Sequence, residues 1–123
     1  MMIRTPNADP ANWANCAVRL LGTGEVELWT DAEEEPVGIV KDILPDGRVR
    51  VATQGDQAWH KAGQAIDLSV SLLQTSGVAG KGEPWQEGNW HVASATHDFP
   101  VALDGSIRVV VNIGRPGAGL NLL

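Results

Sequence analysis

Glycine and proline interrupt this chain too often for a long helix to form. Fourteen Gly and seven Pro are spread along 123 residues. Glycine loosens the helical backbone, and proline removes an amide donor and clashes with the preceding turn. The segments between these breaks hold much of the 13 Val, 6 Ile and 6 Thr, side chains that fit a pleated, half-buried surface. The pattern predicts an all-β fold, a small barrel or sandwich built from hairpins, of a length that suits one core.

Charge and cysteine content narrow the partners. Nine Lys plus Arg against fifteen Asp plus Glu give a net charge of −6, which argues against nucleic acid, whose phosphates demand a basic footprint. Cys16 is the single cysteine, so neither an internal disulfide nor a cysteine-based zinc site is expected. The longest charge-free stretch in the middle of the chain, residues 68–80, is too short and too rich in Ser and Thr to span a bilayer. Residues 1–13 mix Arg4, Pro6 and Pro10 with Asn and Asp and carry no apolar run, unlike a secretory signal. A soluble acidic β domain, with neither membrane nor nucleic acid as partner, is the expectation.

Three segments follow from the pattern: an extended N-terminal arm over 1–16, a β domain over 17–114, and a flexible C-terminal tail over 115–123. Glu25-Val26-Glu27-Leu28-Trp29 alternates, with Val26 and Leu28 facing in and Trp29 facing out. Residues 38–53 read as a hairpin, with Asp46-Gly47 at its apex and Val49 and Val51 on the core side. Residues 58–61 and 68–72 are further strand candidates, and residues 76–89, with four Gly, read as a long loop. Residues 90–96 and 106–113 close the sheet through an Asp104-Gly105 turn. One echo stands out: Asp46-Gly47-Arg48-Val49-Arg50-Val51 matches Asp104-Gly105-Ser106-Ile107-Arg108-Val109 at an offset of 58. Either two hairpins of one design occupy related positions, or alternating Val after Asp-Gly is simply how hairpins are written.

No catalytic constellation emerges. His91, Ser94, His97 and Asp98 lie within eight residues, but neighbours on one strand point to different faces and cannot converge as a triad. His60, His91, His97 and Asp98 fit no metal-ligand spacing. Asp31, Glu33, Glu34 and Glu35 lack the alternation of a calcium loop and read as a solvated acidic loop. Residues 77–82 resemble a phosphate cradle, but Thr75, Gly82 and Pro84 break the required pattern. Cys16 reads as a buried thiol. The chain is expected to be no enzyme and to need no metal or cofactor.

Tryptophan carries the remaining signal, with five Trp against one Phe and no Tyr. Trp13 in the arm, Trp29 beside two glutamates and Trp85 in the Gly-rich segment read as contact residues, since Trp buries much apolar area at little entropic cost. Two classes of function fit: a structural protein that docks through these side chains, or a stand-alone module that binds carbohydrate or another small ligand, using Trp85 and Trp90 as a stacking platform.

The order of the hairpin words resembles the small capsid cement, or decoration, proteins of tailed bacteriophages. The stretches that carry this are Pro36-Val37-Gly38-Ile39-Val40, the run from Gly47 to Gly55, Lys61-Ala62-Gly63-Gln64-Ala65-Ile66, and the run from Asp104 to Val111. Asp67-Leu68-Ser69 departs from the Gly-Asp that family often has after Ala-Ile, and the Gly-rich segment is longer than its pattern. The resemblance implies a virion component on the outer capsid surface that clamps major capsid protein subunits, as a homo-oligomer and by preference a trimer. Arg4, Trp13, Trp29, Trp85, Leu120, Leu122 and Leu123 are then the expected capsid or subunit contacts. On this view residues 1–16 order on the capsid and are dispensable for the fold.

Overall fold

In a computed structural model, the described residues are 1–67, 70–96 and 100–116. They form ten strands and no helix. In the first half lie β1 (Met2–Arg4), β2 (Ala17–Leu20), β3 (Val26–Leu28), β4 (Gly38–Ile43) and β5 (Val49–Ala52). The second half holds β6 (Gln57–Lys61), β7 (Leu72–Thr75), β8 (Gly82–Pro84), β9 (His91–Ala95) and β10 (Ser106–Gly114). Two antiparallel five-stranded sheets result, ordered β1-β5-β4-β2-β3 and β6-β10-β9-β7-β8, packed against each other as the all-β expectation requires.

These two orders are the same order. Counting strands from the start of each half, both sheets read first, fifth, fourth, second, third. Registers correspond as well, at offsets of 55 to 58 residues: Val18 opposes Leu28 as Leu73 opposes Pro84, and Met2 opposes Val51 as Ala58 opposes Val109. Each sheet also curls until its end strands meet, through parallel bridges between Pro6 and Val26 and between Ala62 and Gly82. Loop bonds repeat: Trp29 N–H donates to Ala17 O, and Trp85 N–H to Leu72 O. Side chains repeat too, since Arg19 pairs with Glu27 where Gln74 bonds Glu83. The Asp-Gly echo is one visible trace of a unit used twice.

Sheet faces explain where the core sits. Val18, Val26, Val40, Val49 and Val51 cluster with Trp13 inside the first unit. The alternate positions Ala17, Ile39 and Ala52, with Trp29, face the other way and join Leu73, Val92, Ala93, Ile107, Val109 and Val111 of the second unit. Ala17–Val18 of β2, Gly38–Val40 of β4 and Val51–Ala52 of β5 are thus buried on both faces, and these short apolar runs lack a solvent side.

Two segments differ from expectation. Residues 1–16 do not form a free arm: β1 pairs with β5, Asn7 N–H bonds Val26 O, and Trp13 and Cys16 are buried. Pro6, Pro10 and the Asn residues hid this, because a three-residue edge strand needs no apolar period. Residues 76–89 are likewise not one long loop, since β8 crosses them and pairs with β7. Residues 120–123, including Leu120, Leu122 and Leu123, lie outside the described residues, as do Leu68, Ser69, His97 and Asp98.

Candidate functional site

Of the expected contact residues, the structure removes two from the surface. Trp29 is fully buried, its indole N–H donating to Glu34 O at 2.8 Å. The strand alternates as the pattern predicts, but the face opposite Val26 meets the second unit instead of water. Trp13 fills the first unit's interior. Trp85 is half-buried, donates to Asn89 O at 2.8 Å and stands edge-on to His91 at 6.0 Å. It is the counterpart of Trp29, capping the loop after the third strand of its unit. Trp85 walls a shallow groove with Val70, Ser71, Leu72 and Pro84, whereas Trp90 packs on the core, so the two make no shared platform. Arg4 is exposed on β1.

The other polar candidates hold the fold together. His60 is fully buried on β6. Its Nδ1 lies 3.0 Å from Asn15 O, and a carbonyl only accepts, so Nδ1 carries the hydrogen and Nε2 is the bare nitrogen. That Nε2 has no partner among the described residues, and burial pushes the His60 pKa down to about 4. His91 Nδ1 lies 2.6 Å from Asn112 O. Burial raises the Cys16 thiol pKa, which keeps it a poor nucleophile. In the acidic loop Glu34 pairs with Arg19 and Asp31 accepts from Glu33 N–H. Among the described residues no group of three or more His, Cys, Asp or Glu converges on a metal position. The Gly-rich segment uses its backbone for packing, with Gly80 O accepting from Ala17 N–H.

What remains is a surface that the sequence reading passed over. Strand β6 buries Ala58 and His60 and turns Trp59 outward, 47% exposed. Arg108 lies directly opposite on β10, its guanidinium carbon 5.4 Å from the Trp59 ring centroid. Lys41 reaches the same place from β4, where a register shift between Val40 and Asp42 marks a bulge that re-aims it. With Gln57 and Ala58 these residues line a shallow basin of about 300 Å³ at the seam of the two sheets. A signal was available: Gln57-Ala58-Trp59-His60-Lys61 alternates, and one of its two faces had to be outside.

The fold defines a class, a two-unit all-β protein with an exposed aromatic–cationic seam. Comparison with known proteins returned no match to a family model, a curated protein or a solved structure.

Proposed function

We propose that this chain is a non-catalytic structural protein that docks on a larger assembly, and specifically that it decorates the outer surface of a tailed-phage head. The observation that carries the docking role is Trp59, an aromatic side chain held nearly half exposed on a hydrogen-bonded strand. A rigid Trp on a stiff sheet loses little entropy when it is covered, which is what makes such residues anchors at interfaces. The capsid assignment rests on the resemblance of the hairpin words. They fall on β4, β5, the turn after β6, and β10, so the likeness spans the middle of both sheets.

The structure changes how such a protein would hold on. Residues 1–16 belong to the body, with the terminal ammonium 3.0 Å from Asp56 Oδ2, so contact comes from the sheet seam and not from a loose arm. The partner is the major capsid protein, and copies joined as a trimer would add weak contacts by avidity. Purified virions from the genome that encodes this chain, banded on a gradient and analysed by quantitative mass spectrometry, test the assignment. The chain is expected in the DNA-filled head fraction at many copies per particle. Its absence there, together with saturable binding on a glycan array, would replace this reading with the carbohydrate module.

A further inference from the structure

The duplicated architecture supplies an internal comparison for the Trp59 surface. In the first unit the position equivalent to Trp59 is Ile3, opposite Arg50, and it is 44% exposed. Both units therefore present an apolar side chain facing an arginine on the same strand pair. The difference lies in the charge. Arg50 has Asp42 Oδ1 at 3.7 Å, whereas neither Arg108 nor Lys41 takes part in an ion pair among the described residues. On the β9 side Arg108 meets Thr96, and that contact is between Arg108 O and the Thr96 N–H and hydroxyl. Among the described residues the nearest carboxylates in sequence are engaged elsewhere, Asp42 by Arg50, Asp56 by the terminal ammonium and Asp104 by Lys81.

We infer that the Trp59–Arg108–Lys41 seam is a docking surface for an acidic segment of a partner protein, with an apolar residue beside its carboxylates. This rests on the proposed docking role and names the surface that performs it. Two cations beside an exposed ring offer a carboxylate both charge and a desolvating wall. On a chain of net charge −6 an acidic partner is repelled elsewhere, so the seam also fixes its orientation. A nucleic acid would need a longer basic track. A sugar would need an open indole face, and the Arg108 guanidinium already lies over the Trp59 ring.

The test uses the full chain, ¹⁵N-labelled, titrated with a synthetic peptide of alternating Glu and Leu. A Lys-Leu peptide serves as the charge control, and free glutamate as the small-carboxylate control. Saturable shifts are expected at the Trp59 indole N–H, at Lys41, and around residues 57–59 and 107–109, weakening at high salt. Arg108→Glu and Lys41→Glu should each lower affinity roughly tenfold, the expected size for a lost charge contact. Arg48→Glu, on an exposed turn, should not. Shifts centred elsewhere, an equal response to the Lys-Leu peptide or to glutamate alone, or undiminished binding in both folded variants would overturn the assignment. If the peptide docks here but the chain is absent from virions, the capsid reading falls and the surface stands. If virions carry the charge-reversed variants at full occupancy, the surface falls and the capsid reading stands.

Discussion

His60 and Gly82 mark a place where the two units fill equivalent positions differently. In the first unit the equivalent positions are Arg4, exposed, and Val26, buried in the core. In the second, an imidazole turns inward and the valine is gone: a Cβ on Gly82 would lie 2.7 Å from His60 Nε2. The ring thus occupies space that a side chain at position 82 would need. This exchange has a pH signature. Burial lowers the His60 pKa from 6.5 to about 4, so between those values the unfolded chain binds a proton that the folded chain refuses. Stability therefore falls as pH drops from 6.5 towards 4 and takes no further loss from this group below that. The full difference is about 3 kcal/mol. Chemical denaturation from pH 7.5 to 4 should show this slope in the native protein, and His60→Leu should flatten it. An unchanged slope in the variant would assign the effect to other groups. Below this window Asp46, Asp56 and Asp104 take over, since hydrogen bonds from the Arg48 and Thr53 amides and from Lys81 hold their pKa values down.

Among the elements, the hairpins were legible and the termini of the units were not. The β4–β5 hairpin followed from Asp-Gly flanked by alternating Val, because a tight turn needs a residue that accepts positive φ, and Gly47 sits at +88°. Strand β1 left no such mark. Its three residues are held by pairing with β5, a contact 45 or more residues away that no local pattern encodes. Trp29 failed for the opposite reason: its period was plain, but alternation says only that two faces differ, not that one is wet. Trp59 was missed as an outward residue on the same ambiguity. From β1 and Trp13 a prediction follows that reverses the expectation of a dispensable arm. Removing residues 1–16 takes away an edge strand, the Pro6–Val26 closure and a buried indole, so the truncated chain should not fold. Trp13→Ala alone should cost about 3–5 kcal/mol, the usual loss for a large aromatic in a core. Urea denaturation followed by circular dichroism checks both, and a truncated chain with a native spectrum and a cooperative transition would return these residues to the role of an arm.

At the scale of the whole molecule, the question is whether two copies of one unit behave as two bodies or one. Each unit is closed on itself by its own bridge and lies near the lower limit of size for independent stability. The first has an interior cluster of its own, built on Trp13 and five valines. Among the described residues the second has none that is separate: Leu73, Ile107, Val109 and Val111 share one cluster with Ala17, Trp29 and Ile39 of the first. Polar links cross the same boundary, as Asn15 O accepts from Lys61 N–H and from His60 Nδ1, and the Thr75 hydroxyl donates to Trp29 O. Separating the units would expose the shared apolar cluster and strand these partners, so the cost falls on both, and more heavily on the second. Calorimetry of the intact chain should therefore give one transition, with calorimetric and van't Hoff enthalpies equal. A fragment of residues 56–123 should be unfolded alone and gain sheet structure only when residues 1–55 are added. Two resolved transitions, or a folded isolated second unit, would show that the duplicated units are independent and that the seam bearing Trp59 and Lys41 is a hinge between them. A single transition makes that seam a fixed surface, which is the condition for presenting an anchor tryptophan to a partner without an ordering cost.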